Sequence, residues 1–381
     1  MTSERHTPLR PVIGALTCLF AATAVALSLA ACQAPTAGTS PAPKTASEID
    51  VSKAFPSWNK DSETLKQLIE FVRGATTPGE SFVDPWDRVA TFDMDGTLIC
   101  EKAPVYFDYC LTMHRVLDDP SYQATPEERE AMQETRELAN NGQAVEVEGP
   151  NKSVMVARAF KGMTPAESRA YVDSYASTTQ AAGFEGMTYA ESFYKPMVEV
   201  VNFLQANDFD VWVVSACERE AARALVDELG IPYDHVIATD VPYVASELGD
   251  KPADEFNISS ADKIVLGEPL DSVECGQSNK PAAIEREIGR RPIIAFGNSK
   301  GDYSMLNYAK GNPTHPGLGM LVICDDTTRE YGSDSKAADY RNEIAAQGWT
   351  GISMASDWST IYGEGVRKTQ LPGTAAMAEA A

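Results

Sequence analysis

The sequence predicts an α/β fold: a doubly wound parallel sheet whose first strand is followed by an inserted helical cap. Three observations lead there. An apolar, β-branched run at 89–92 feeds a turn carrying two carboxylates, Asp93 and Asp95. After Leu98, about ninety residues show helical patterns and no convincing strand. From Met197, short apolar runs alternate with helical periodicity, which calls for parallel strands joined by right-handed crossovers.

The first 48 residues stand apart from that fold. Arg5, His6 and Arg10 precede an uncharged apolar run at 11–31, the pattern of a signal peptide. The run ends Leu29-Ala30-Ala31-Cys32, which resembles a bacterial lipobox and marks Cys32 for lipidation. An ordinary secretion signal and an uncleaved anchor are the alternatives. Residues 32–48 are rich in Pro, Thr, Ser and Ala and read as a flexible linker. The expected location is therefore extracytoplasmic, with the membrane touched through a lipid anchor only.

Charged residues make up 23% and hydrophobic residues 43% of 381 positions, ordinary for one large or two smaller globular domains. The formal net charge of -23 argues against a nucleic-acid partner, whose phosphates need a basic face. An anionic substrate would need local help against that field. Beyond the leader, Cys100, Cys110, Cys217, Cys275 and Cys324 are irregularly spaced, which fits neither a disulfide framework nor a zinc site, although one bridge is possible. His114, His235 and His315 give a histidine-based active site little to work with.

In chain order, apolar residues at Leu65, Leu68, Ile69 and Val72 give 61–73 helical spacing, and Pro78-Gly79 ends it. The strand 89–92 follows. In the insertion, Thr125-Pro126-Glu127-Glu128 and Thr164-Pro165-Ala166-Glu167 both read as helix starts, with threonine as N-cap, proline first and glutamate third. Then come a helix to about 207, a strand at 209–215, a helix at 218–229 and a short strand at 235–238. Residues 241–278 read as a hairpin or flap with one strand at 263–266. A helix at 280–288, a strand at 292–296, a loop at 297–302, a helix from Tyr303, a strand at 318–324 and a helix at 336–347 complete the pattern. The predicted domains are an α/β core at 49–104 and 190–368, a helical cap at 105–189 and a disordered tail at 369–381.

A doubly wound sheet gathers its strand ends into one crevice. That brings together Asp93 and Asp95, Ser215, Lys280, and the loop bearing Asn298 and Asp302. In this order they resemble the four motifs of the haloacid dehalogenase superfamily: Asp93-Met94-Asp95-Gly96-Thr97, then Ser215, then Lys280, then Gly297-Asn298-Ser299-Lys300-Gly301-Asp302. The resemblance spans roughly 86–325 and looks most like the phosphoserine-phosphatase-like branch. It implies an Mg²⁺-dependent phosphomonoester hydrolase acting on small phosphorylated metabolites. Asp93 would be the nucleophile and Asp95 the general acid and base, with Lys280 as catalytic cation. Ser215 and Lys280 would bind the phosphate. Asp93, Asp95, Asn298 and Asp302 would hold the metal. Asn298 stands where many members carry aspartate, so the metal role is shared with Asp302. A dehalogenase and a binding lipoprotein without turnover are the alternative readings. Glu101, near the place where phosphoserine phosphatases read an amino group, is offset by one residue and reads as a surface acid. Lys300 competes with Lys280 as the motif lysine. Cys217 and Arg219 read as loop residues. Trp86, Tyr106, Phe107 and Tyr109 read as packing between cap and core rather than a cation cage.

Overall fold

The computed structural model describes residues 50–101, 105–142, 152–268 and 274–371. The signal segment, the linker with Cys32 and the tail from 372 lie outside the described residues. Contacts divide the chain into 1–42 and 43–381, and the described residues all belong to the second unit.

After a single turn, α1 (Val51–Ala54), helix α2 (Glu63–Thr76) begins where Ser62 accepts the Leu65 amide. Its Leu65, Leu68, Val72 and Ala75 form one buried stripe, the helical period written in the sequence. Strand β1 (Val89–Phe92) follows and is buried throughout. The insertion holds α3 (Phe107–Leu117), α4 (Pro126–Asn140), α5 (Lys152–Phe160) and α6 (Pro165–Thr178), then a two-residue strand β2 (Phe184–Glu185). The core resumes with α7 (Lys195–Gln205), β3 (Asp210–Glu218), α8 (Arg219–Val226) and β4 (Val236–Thr239). Next come β5 (Tyr243–Ala245), β6 (Ile264–Leu266), α9 (Asn279–Glu287) and β7 (Ile294–Gly297). The chain closes with α10 (Tyr303–Lys310), β8 (Leu318–Ile323), α11 (Asp334–Gln347), β9 (Thr350–Ser353) and β10 (Arg367–Lys368).

Six strands form one all-parallel sheet in the order β4-β3-β1-β7-β8-β9. Counting only its own strands, this is the order 3-2-1-4-5-6 of a doubly wound fold, which reverses between β1 and β7. Alternate side chains serve two cores. Ala90, Phe92, Val211, Val213 and Phe296 join a cluster with Leu68 and Val72 of α2 and Met197 and Val201 of α7. Val89, Trp212, Val214, Ala295 and Leu321 join another with Ile284 of α9 and Met305 and Leu306 of α10. Burial on both faces explains why these strands read as continuous apolar runs.

The insertion is a closed excursion. Ile99 and Phe193 form an antiparallel bridge, and the Cys100 and Tyr194 amides donate to Ser192 and Leu98 carbonyls, both at or below 2.9 Å. The outgoing and returning chains are thus hydrogen-bonded side by side at the sheet. Thr125 and Thr164 both complete capping boxes, with Glu128 and Glu167. Among its described residues the region does contain a strand, β2, which pairs antiparallel with β10 and ties the end of the insertion to the C-terminal segment. The expected flap is an antiparallel β5–β6 hairpin, and β6 also exchanges hydrogen bonds with Gly162 and Met163 of the insertion. Among the described residues no disulfide joins the five cysteines. No described helix is long and apolar enough to cross a membrane.

Candidate active site

The site lies where the strand order reverses. Asp93 follows β1 and its amide donates to Phe296 of β7 at 2.9 Å, so the two strand ends are locked together. Behind this bond the Phe92 and Phe296 rings stack with centroids 4.3 Å apart. The chain then turns tightly: the Thr97, Leu98 and Ile99 amides all donate to the Met94 carbonyl. Gly96 has φ +79°, and a Cβ there would lie 1.9 Å from the Asn298 amide nitrogen. Glycine is required twice over, for the left-handed backbone and for the approach of the opposite loop.

Lys280 opens α9 and is buried at 2% exposure. Its ammonium reaches Asp93 Oδ1 at 2.5 Å, Asp302 Oδ1 at 2.7 Å and the Val214 carbonyl at 2.7 Å. All three of its protons are spent. Asp302 is equally committed, since its Oδ2 accepts from the Asn298 and Ser299 amides at 3.0 Å and from Ser299 Oγ at 3.3 Å. One lysine therefore serves two buried carboxylates. Burial, and then the Asp302 charge, raise the Asp93 pKa well above the usual carboxylate range, although Lys280 pulls the other way. Burial alone would lower the Lys280 pKa, but Asp302 and Asp93 outweigh it and hold the ammonium above the ordinary lysine range.

A cavity of about 450 Å³ opens over these groups. Asp93, Asp95, Lys280, Asn298 and Asp302 all line it, together with Glu101, Tyr106, Ala216, Cys217 and Glu274. Ser215 is brought to the same strand end but lies behind the wall. It is buried, and its Oγ accepts the Cys217 amide at 3.1 Å, so the wall itself is Ala216 and Cys217. Lys300 is exposed and does not compete with Lys280. Arg219 is a buried structural residue, paired with Asp240 and Glu287. Trp86 is 69% exposed and stacks under Arg290, away from the cavity. Phe107 packs on Tyr175 and Tyr189, as packing of the insertion requires. Glu101, read as a surface acid, faces the cavity beside Tyr106, and Glu274 was not anticipated.

The sequence model of haloacid dehalogenase-like hydrolases matches residues 90–307. The chain belongs to that family. The match takes in all four motifs and the whole helical insertion. No curated protein matches the chain. Solved structures with partial likeness include a Bordetella pertussis Tohama I protein of unknown function (17% identity, 70% of this chain and 97% of that one, TM-score 0.43). Others are a functionally unknown protein from Anaerococcus prevotii DSM 20548 (14%, 79% and 95%, TM-score 0.49) and a probable phosphoserine phosphatase from Vibrio cholerae (13%, 79% and 67%, TM-score 0.36). These likenesses are distant, and the chemistry below is argued from the residues of this chain.

The cavity lining sets five carboxylates, Asp93, Asp95, Glu101, Glu274 and Asp302, against one lysine. Such a surplus fits a divalent cation. The donors near β1 and the 298–302 loop are all oxygens, the set preferred by Mg²⁺. Among the described residues no three His, Cys, Asp or Glu side chains gather closely enough to hold an ion alone. A complete ligand set would therefore have to draw on the Asn298 amide oxygen, main-chain carbonyls and water. Because Asp302 is already bonded at both oxygens, its geometry favours Asn298 as the loop's direct ligand.

Proposed function

We propose that the protein is a phosphomonoester hydrolase that works through a phosphorylated Asp93. The observation that carries this reading is the buried Asp93–Lys280–Asp302 array at the sheet's switch point, opening into a polar cavity. Lys280 and its bond to Asp302 fix the Asp93 carboxylate, so that one oxygen is pinned and the other can meet a phosphorus atom. In the first half-reaction an Asp93 oxygen bonds to phosphorus while the bond to the leaving alkoxide breaks. Asp95, half-buried two residues on, gives that alkoxide a proton. In the second, Asp95 takes a proton from water, the hydroxide bonds to phosphorus, and inorganic phosphate leaves Asp93 as a carboxylate. A bound Mg²⁺, held by Asp93, the Asp95 main chain and Asn298 with Asp302 behind it, would neutralise phosphoryl charge. Lys280 supplies the remaining fixed positive charge.

The inserted helices would act as a cap that limits substrate size and access of water. Lipidation at Cys32 would tether the enzyme to a membrane by a linker, leaving the domain in the extracytoplasmic medium. A dehalogenase would need neither Asp95 nor a cation-binding loop, and both border the cavity. Hydrolysis of p-nitrophenyl phosphate, with and without Mg²⁺, tests the reading. Activity is expected to need Mg²⁺ and to vanish in Asp93→Asn. Full activity in Asp93→Asn, or in EDTA, sinks it.

A further inference from the structure

Residues 274–279, which lead into α9, form one wall of the main cavity, where Glu274, Gly276, Gln277, Ser278 and Asn279 all line it. The backbone of this wall is pinned on both sides. The Cys275 amide donates to Thr239 Oγ1 at 3.0 Å, and that hydroxyl donates to the Ala216 carbonyl at 2.8 Å. The Gln277 amide donates to the Gly301 carbonyl at 2.8 Å, one residue before Asp302. Asn279 braces the turn, its Nδ2 donating to the Glu274 carbonyl at 3.0 Å. Gln277 itself has φ +49°, in the left-handed region. Among the described residues only Asp208 shares that region without being glycine. Glycine or asparagine would hold such a turn with less strain, so the turn gives no reason for a glutamine. The fold does not use the side chain either: among the described residues the Gln277 amide group has no hydrogen-bond partner. Ser278 occupies the N-cap of α9, where serine ordinarily accepts a main-chain amide, yet its hydroxyl makes no capping bond. Both side chains are exposed to the cavity.

We propose that Gln277, assisted by Ser278, is a specificity-determining residue that selects the leaving group by hydrogen-bonding a hydroxyl carried on it. The inference rests on the phosphomonoesterase reading and adds a criterion for the alcohol that is released. Strain at a single residue persists where the surroundings impose it and the side chain has a task. The task follows from the chemistry of the two groups. A primary amide offers both donors and an acceptor, and so does a serine hydroxyl. A hydroxyl on the substrate uses both capacities, whereas an ammonium only donates and a carboxylate only accepts. A carboxylate would also meet the five carboxylates of the lining. The pinning to Gly301 matters for selection. It holds the Gln277 backbone in register with the 298–302 loop, so the leaving group is read against the position of its phosphorus rather than by a freely moving loop.

The test uses the full chain with Mg²⁺ and two substrates on the same three-carbon skeleton, glycerol 3-phosphate and propyl phosphate. Calorimetry on Asp93→Asn protein reads binding without turnover, and kcat/KM on the parent reads the reaction. Both are expected to favour glycerol 3-phosphate by about three- to tenfold, the range for one or two neutral hydrogen bonds. Gln277→Gly keeps the left-handed turn and deletes the amide. It is expected to bring the ratio of the two substrates within about twofold of one, in binding and in kcat/KM alike, with a melting temperature no lower than the parent's. A purely structural role would lower both substrates together and leave the ratio intact, which would overturn the proposal. A parent that hydrolyses p-nitrophenyl phosphate but shows no preference for glycerol 3-phosphate over propyl phosphate would overturn it too, and would leave the phosphatase reading standing. A chain that hydrolyses none of the three, while its Asp93→Asn form binds glycerol 3-phosphate the more tightly and loses that preference with Gln277→Gly added, would leave the role of Gln277 standing and sink the phosphatase reading.

Discussion

Replacing Lys280 by methionine removes one charge from between two buried carboxylates and keeps the volume of the side chain. Asp93 and Asp302 then face each other without a counter-ion, at 6% and 1% exposure. Removing one partner from a buried pair typically costs about 3–5 kcal/mol, because the remaining charge stays desolvated. The Val214 carbonyl loses its donor as well, and an unmet buried acceptor costs about 1–3 kcal/mol. These overlap, so about 4 kcal/mol is expected for Lys280→Met by urea denaturation at pH 8 in EDTA. The sign of the pH effect follows. With Lys280 gone, Asp93, whose pKa burial already raises, gains a proton more readily in the folded than in the unfolded state. A folded-state pKa raised in this way contributes stability below the unfolded pKa and loses it as pH rises. The deficit should therefore shrink steadily from pH 8 to pH 5. Lys280→Met with Asp302→Asn added should recover part of the loss, since only one carboxylate remains. A deficit below 1 kcal/mol at pH 8, or one that does not vary with pH, would refute the account of the array.

The same linkage applies at Glu330, 2% exposed, which burial raises from 4.5 to about 7 despite bonds from the Tyr362 hydroxyl and the Tyr331 amide. Its ionisation costs roughly 3 kcal/mol as pH rises from 4.5 through 7, so melting temperatures should fall over that interval and fall less in Glu330→Gln. Gly96→Ala places a methyl group against Asn298 at φ +79°, whereas Gly230→Ala at φ +64° meets nothing within 4 Å. Both should lose about 1–3 kcal/mol in thermal denaturation from backbone strain, but only Gly96→Ala should weaken Mg²⁺ binding by calorimetry, by tenfold or more. Fully buried Glu220 ties Arg169 of the cap to Arg223 and to Tyr243 of the hairpin. Glu220→Ala should speed hydrogen exchange in α6 and the β5–β6 hairpin while the sheet stays protected.

Much of this was legible in the sequence because it was local. The capping boxes at Thr125 and Thr164 are contained in four residues each. The strand ends of β1 and β7 announce themselves by apolar runs that stop at a polar turn. What escaped depends on distant partners. Helix α3 starts at Tyr106 without a side-chain cap and carries aromatic residues that suit other states equally well. Strand β9, four residues long at the sheet edge, has a mixed burial pattern and no periodicity to read. Strand β3 runs three residues past Ser215 through an irregularity in its pairing with β4, which turns Ser215 behind the wall and places Ala216 at the cavity. Glu101 reads as a surface acid, and Glu274 carries no signal at all, because nothing in one dimension says that the fold closes around them.

The central claim is that Asp93 becomes a phosphoryl carrier, and quenched-flow mass spectrometry tests it most directly. Acid quenching during turnover of p-nitrophenyl phosphate, whose phenolate leaves without a proton from Asp95, followed by borohydride reduction and peptide mapping, should place the label on Asp93 alone. It should be absent in Asp93→Asn and accumulate in Asp95→Asn, where water is not activated. Turnover with no label on Asp93, or turnover that persists in Asp93→Asn, would contradict the account.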